Sequence, residues 1–295
     1  MIAMTLEQLR IFIAVAEREH LTQAALSLHL TPSAVSSAIR TLEERYSVAL
    51  FHRTGRRIEL TETGRAFLAE AKATVARARE TELFLAEVGD LRRGSLTLAA
   101  SQTIASYWLP PVVMRLHQRY PGVDLRVSAA NTELVAAAVI DGAAEIGLVE
   151  GAVDSPLLAQ RVIARDRLVV VALPEHPLAQ RRGVERDDLL AARWVLREAG
   201  SGTRSVLTSA LDAKPGQLAV ELTLPSNEAV RAAVQAGPFL GALSELIVQA
   251  DIDAGRLVKL DFTLPERQFL MLRHRERHRS KASLAFEDMA TAPER

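Results

Sequence analysis

Ser33, Ser36, Ser37 and Arg40 recur on one side of a helical wheel, and His52, Arg53, Arg56 and Arg57 crowd together a short way downstream. Small hydroxyl side chains let a helix enter the DNA major groove without collision and bond phosphates or base edges, while Arg40 reaches further. No acidic residue stands between Tyr46 and Ile58, which makes this stretch a local phosphate-holding patch. The whole chain is balanced, with 36 basic and 36 acidic side chains, so only the clustering argues for a nucleic-acid partner. Taken singly, the serines also read as a solvated helix face and the arginines as a charged loop. Their adjacency favours a surface for double-stranded DNA, to which Thr22, Thr31 and Ala34 also belong.

A second group of polar residues sits where apolar runs give way to helical ones. Ser101-Gln102-Thr103 and Asn131-Thr132 occupy such junctions, and Glu150 closes the run Ile146-Gly147-Leu148-Val149. Arg197 ends another run, ahead of Gly200-Ser201-Gly202-Thr203-Arg204, and Asn227 follows Pro225-Ser226. Free N–H groups at a helix start, with hydroxyls beside them, favour an anion. Glycines let the backbone approach a ligand closely, and Arg197 or Arg204 supplies a charged donor. One Ser or Thr at a helix start is more often a plain cap. Several at the ends of strands point to a small anionic metabolite, because ligands of open α/β sheets sit beyond the carboxyl ends of strands.

Other chemistries are excluded or unsupported. The chain has no cysteine, so a disulfide framework, a zinc finger, a thiolate nucleophile and an iron–sulfur cluster are ruled out. Gly200-Ser201-Gly202-Thr203 lacks the lysine and spacing of a phosphate-binding loop and the spacing of a nucleophile elbow. His117 and His176 have no partners at metal-ligand spacing. No catalytic residue, metal or cofactor is therefore expected. An enzyme would need a nucleophile or metal set that is not visible, and a solute-binding module leaves the N-terminal part unexplained. No run approaches the roughly 20 apolar residues needed to cross a bilayer. No secretion signal is visible at the N-terminus, so the expectation is a cytoplasmic protein without a membrane partner. The basic run from His274 to Lys281 reads better as a solvated helix face than as a second nucleic-acid contact, and Trp108 and Trp194 read as core residues.

The elements that position these groups follow from pattern. Thr5 with Gln8 predicts a capping box opening a helix with Leu6, Leu9, Phe12, Ile13 and Ala16 inward. Thr22 is expected to cap a second, short helix. Thr31-Pro32 opens a third, with Val35, Ile39 and Leu42 inward. Leu50 to Thr61 reads as strand, glycine turn, strand, a wing beside a helix-turn-helix. From Glu62 to about Val88 a long helix carries Phe67, Ala71, Thr74, Ala78, Leu85 and Val88 on one stripe. A seam between two subunits would cover that stripe, and docking on the C-terminal part is the alternative. Asp90 to Gly94 reads as a hinge. Beyond it apolar strands alternate with helices, predicted at 95–100, 124–129, 145–149, 167–173, 194–196, 218–223, 239–243, 257–261 and 268–273. The expected fold class is multidomain: an all-α-rich winged helix-turn-helix (1–61), a linker helix (62–90), and a two-lobed α/β domain (91–295) with crossovers near 163–167 and 264–268.

Leu6 to Leu68 resembles the DNA-binding domain of LysR-type transcription regulators. The resemblance is carried by Leu9-x-x-Phe12, Ala24-Ala25-x-x-Leu28, Thr31-Pro32-Ser33-Ala34-Val35-Ser36, Ile39-x-x-Leu42-Glu43, Leu50-Phe51-x-Arg53 and Leu60-Thr61-x-x-Gly64. It implies a homodimer or homotetramer paired through the linker helix, a periplasmic-binding-protein-like sensor, and RNA polymerase as a further partner. Gln102-Thr103-Ile104, Tyr107-x-Leu109-Pro110, Tyr120-Pro121, Asn131-Thr132, Gly147-Leu148-Val149-Glu150-Gly151 and the segment from Arg197 to Arg204 narrow it to a branch. That branch contains regulators of sulfur (sulfite and cysteine) metabolism and of carbon-fixation operons, whose effectors are small anions or phosphorylated metabolites. Three departures stand out. Glu19-His20 replaces a usual glycine and serine, Tyr46-Ser47-Val48 a usual Leu-Gly, and Gly237-Pro238 interrupts a glycine-hydrophobic-glycine turn at the pocket floor.

Overall fold

The N-terminal unit begins where Thr5 and Gln8 exchange side-chain-to-backbone hydrogen bonds and start helix α1 (Leu6–Arg18). Helices α2 (Leu21–Ser27) and α3 (Pro32–Tyr46) follow, with Thr31 capping α3 and Pro32 in its first turn. Strands β1 (Phe51–Thr54) and β2 (Arg57–Leu60) pair antiparallel as a wing, and helix α4 (Glu62–Glu87) leaves it. The computed structural model describes residues 4–54, 57–87 and 94–291, and for Arg53, Thr54, Arg57, Glu80, Leu83, Phe84, Ala86 and Glu87 the backbone alone. Contacts divide the chain into one unit ending at Leu85 and a second beginning at Ala86.

Phe12 centres the first core, its ring 5.4 Å from Phe51 and 4.8 Å from Phe67. Val35, Ile39 and Leu42 bury the inner face of α3, each burial contributing about 1.5–3 kcal/mol. Glu43 anchors α3 to the wing, its Oε1 accepting the N–H of Leu50 at 2.8 Å and of Phe51 at 3.2 Å. Gly64 is required by close approach, since a Cβ there would lie 2.1 Å from the Leu50 carbonyl oxygen.

Two expectations are corrected. Thr22 does not cap α2: it lies exposed inside the first turn, and His20 is the cap, its Nδ1 accepting the N–H of Gln23 at 3.4 Å. The helix simply starts two residues earlier, because Glu19 turns left-handed (φ 47°) and brings His20 into the capping position. Nor is the α4 stripe uncovered along its whole length. Ala71 is buried in, and Phe67 packs against, the core of the same unit, whereas Leu85 is 67% exposed. The Val88 end of the stripe and the expected hinge at 90–93 lie outside the described residues.

Ser47 also sits left-handed, at φ 51°, as the C-cap of α3. Both departures from the family's glycines thus place side chains in a conformation that costs an L-residue roughly 1–2 kcal/mol. Glycine would relieve it but loosen the unfolded chain by about 0.4–1 kcal/mol. Ser47→Gly is therefore expected to stabilise the N-terminal unit by about 0.5–1 kcal/mol, read as a higher urea midpoint for its transition.

The second unit holds strands β3 (Gly94–Ser101), β4 (Val123–Ala130), β5 (Ile146–Glu150), β6 (Leu158–Ala172), β7 (Arg193–Arg197), β8 (Ala219–Leu224), β9 (Gly241–Ser244), β10 (Val258–Lys259) and β11 (Glu266–His274). Between them lie α5 (Leu109–Arg119), α6 (Thr132–Asp141), α7 (Arg186–Ala191), α8 (Gly202–Ala210), α9 (Asn227–Ala236) and α10 (Glu245–Asp253), and α11 (Lys281–Thr291) closes the order. The main sheet has the order β10-β6-β11-β5-β3-β4, with β9 also on β6. Strand β6 changes partners midway: Leu158–Arg167 pairs with β11, and Leu168–Val171 pairs with β9. The chain thereby passes from one lobe, with the cores around Leu98 and Val139, to another, with the cores around Leu196 and Val234. It returns through the stretch leading into β11.

The sequence reading starts this strand at Arg167 and misses its first half. Residues 159–165 are all exposed or half-buried, so no alternation of apolar and polar residues marks them. Trp194 is fully buried and donates its Nε1–H to the Leu189 carbonyl at 2.8 Å. Trp108, expected in the core, is half-buried, packed on the edge of the first lobe's cluster.

Candidate nucleic-acid interface and effector site

Helix α3 presents Ser33, Ala34, Ser37 and Arg40 to solvent, with Ser36 half-buried beside them. Arg40 makes no ion pair or hydrogen bond among the described residues, so its guanidinium is unspent. Thr31 is exposed too, but its Oγ1 already accepts the N–H of Ala34 at 3.2 Å and shares a 3.0 Å hydrogen bond with Ser33 Oγ. The backbones of Arg53 and Arg57 lie on the two strands of the wing. Their side chains, and the whole of Arg56, lie outside the described residues.

In the second unit the polar junctions converge. Asp166 and Arg267 face each other across β6 and β11, next to the point where β6 changes partners. Both are buried, with Arg267 Nε donating to Asp166 Oδ2 at 2.6 Å and Ser244 Oγ donating to Asp166 Oδ1 at 2.7 Å. The rest of the Arg267 fork reaches both lobes, donating to Thr203 Oγ1 at 2.9 Å and to Thr103 Oγ1 at 3.4 Å.

A second arginine extends the network. Arg197, 4% exposed, donates to Asn227 Oδ1 at 2.9 Å and to both carboxylate oxygens of Glu198, at 2.7 and 2.8 Å. Asn227 crosses to the other lobe, donating Nδ2–H to Thr103 Oγ1 at 3.1 Å and its backbone N–H to Gln102 Oε1 at 3.0 Å. Asn131 caps α6 through the Leu134 N–H and donates Nδ2–H to Glu198 Oε1 at 3.4 Å. Burial alone would raise the Glu198 carboxyl, but the Arg197 hydrogen bonds and charge and the Asn131 amide outweigh it and hold the group below its ordinary range.

Gln102, Thr103, Asn131, Arg197, Thr203 and Asn227 thus meet in one network across the lobes. Ser101, buried at the end of β3, has an Oγ with no hydrogen-bond partner. Ser201 is buried and serves as the N-cap residue of α8. Thr132, Glu150 and Gly202 face elsewhere, onto a cavity of about 810 Å³. Gly202 is tightly placed, since a Cβ would stand 2.6 Å from both the Glu150 carbonyl oxygen and Thr132 Oγ1. Sequence reasoning missed Arg267, Asp166, Ser244 and Glu198. Arg165-Asp166-Arg167 looks like a solvated charge cluster, and only the pairing with β11 turns its middle residue inward.

Breaking a buried pair strands the other charge, at about 3–5 kcal/mol. Asp166→Ala is expected to cost that much, measured as the denaturant midpoint of the second unit. Asp166→Ala combined with Arg267→Met should recover most of the loss.

Comparison with known proteins agrees with both units. The profile of bacterial regulatory helix-turn-helix proteins of the lysR family matches residues 6–65, and that of the LysR substrate binding domain matches residues 89–292. The chain belongs to the LysR family: it is a DNA-binding transcription regulator with an effector-binding domain, not an enzyme. It is 35% identical to the helix-turn-helix transcriptional regulator YeiE of Escherichia coli K12 over 286 residues, covering 96% of each chain. It is 32% identical to the RuBisCO operon transcriptional regulator of Allochromatium vinosum, covering 96% of this chain and 94% of that one. Its fold is shared with the regulatory domain of CcmR from Synechocystis PCC6803, solved in complex with 2-PG, at a TM-score of 0.62 and 24% identity over 68% of this chain and 96% of that one. No helix among the described residues is long and apolar enough to cross a membrane.

Proposed function

We propose that a small anionic metabolite, held where the two lobes of the second unit meet, controls how this regulator grips or bends promoter DNA. The carrying observation is the hydroxyl group set at that seam. The oxygens of Thr103 and Thr203 accept from Arg267, which leaves their O–H protons free to donate, and Ser101 Oγ beside them is buried without a partner. Arg197, Gln102, Asn131, Ser201 and Asn227 complete the contacts. The two arginines are already matched by Asp166 and Glu198, so hydroxyl and backbone donors, rather than net charge, favour the anion. The complex of CcmR with 2-PG supports an anion of this kind.

On DNA, Ser33, Ala34, Ser36, Ser37 and Arg40 of α3 enter the major groove. Thr22 and Thr31 approach phosphates at helix starts, and Arg53, Arg56 and Arg57 of the wing lie along the backbone or in the minor groove. The exposed end of α4 pairs two subunits, so that recognition helices reach half-sites roughly 34 Å apart. The dimer, or a tetramer built from it, works in the cytoplasm and contacts RNA polymerase at the promoter. The effector acts by preferring one arrangement of the assembly over another.

Two measurements test this. Arg40→Ala should weaken operator binding and, if Arg40 meets one phosphate, reduce the slope of log affinity against log salt by about 0.9. An unchanged slope and affinity would remove Arg40 from the interface. Replacing Thr103 by valine should weaken 2-PG or sulfite binding by about 10-fold in calorimetry while leaving operator affinity without effector intact. Equal binding by the variant would sink the proposed anion seat.

A further inference from the structure

The cavity of about 810 Å³ beside the seam has a chemistry opposite to the anion seat. Its walls are apolar, from Ala136 and Ile140 of α6, Val206 of α8, Val153 and Pro265. Its ionisable lining consists of Glu133, Glu150 and Asp154, with no basic side chain. Glu150 is 4% exposed, and its carboxylate has neither a hydrogen bond nor an ion pair among the described residues. Thr132 Oγ1, on the same wall, is fully buried and has no partner, whereas the Glu150 oxygens keep a little contact with the cavity. A buried unpaired carboxylate is costly, whereas a cation and hydrogen-bond donors at the same place offset the cost. The volume is that of a pocket for a small organic molecule.

We propose that this cavity binds an ammonium-bearing small molecule with an apolar body, its N–H groups donating to Glu150 and Thr132 Oγ1 and its body lying between α6 and α8. The site is separate from the anion seat and does not depend on it. Because α6 belongs to one lobe and α8 to the other, such a ligand bridges the lobes from a second position. Glu133 and Asp154 draw the cation to the mouth, and the missing side chain of Gly202 leaves room beside Thr132 Oγ1 and the Glu150 carbonyl.

Calorimetry on the full chain tests this with phenethylammonium as probe, 2-phenylethanol as its neutral counterpart and phenylacetate as the anionic one. The expected result is binding of the amine about 10-fold or more tighter than of the alcohol, with phenylacetate weakest. Glu150→Gln should erase the preference for the amine while the alcohol binds as before. The melting temperature of the unliganded Glu150→Gln variant should match that of the parent, which keeps the result readable as a folded protein. Glu133→Gln should weaken the amine by less than Glu150→Gln does. Equal affinity for amine and alcohol in the parent chain, or undiminished amine binding by Glu150→Gln, would overturn the proposal.

Discussion

The buried pair of Asp166 and Arg267 is the constraint on which the second unit is organised. It stands at the one place where β6 stops pairing with β11 and starts pairing with β9, so it marks the passage between lobes. A lone charge there would be intolerable; a pair with every polar atom engaged is not. The guanidinium fork holds Asp166 on one side and, through Thr103 and Thr203, the starts of two helical segments on opposite lobes. The same contacts that neutralise the charge therefore fix how the lobes meet.

From that pair the polar network spreads in a directed way. Thr103 joins the Arg267 group to Asn227, Asn227 joins Arg197, and Arg197 ends on Glu198. Hydroxyl oxygens are used as acceptors, which turns their protons outward as donors. Asparagine and glutamine side chains span the lobes with little charge of their own. This arrangement suits recognition of a small oxyanion at the seam, and it leaves the neighbouring cavity, with three carboxylates and apolar walls, to a different ligand class.

The first unit works on simpler terms. An inward face of Val35, Ile39 and Leu42 anchors α3 on Phe12, while the outward face stays small and polar around Arg40. Glu43 and Gly64 then lock the wing and α4 onto that helix. Three left-handed residues, Glu19, His29 and Ser47, make its turns without glycine, which shows that turn geometry here is imposed by the core rather than by local preference.

Much of this is legible in the amino-acid sequence. Helical spacing and capping residues set the N-terminal helices, and an acid-free basic stretch marked the wing, because local pattern and local propensity decide such elements. Several of the polar strand-to-helix junctions likewise meet in one hydrogen-bond network between the lobes. Position in sequence could not reveal that Thr22 lies two residues too late to cap α2, since a left-handed Glu19 sets that start. Nor could it reveal that α4 spends Phe67 and Ala71 on its own unit. Asp166 and Arg267 are separated by about a hundred residues, and only strand pairing decides that two charges in polar surroundings turn inward together. Glu150 is visible as a strand-ending acid, but whether it joined the network around Arg267 or lined the neighbouring cavity depended on where α6 and α8 packed, which is a property of the assembled fold and not of any segment of the chain.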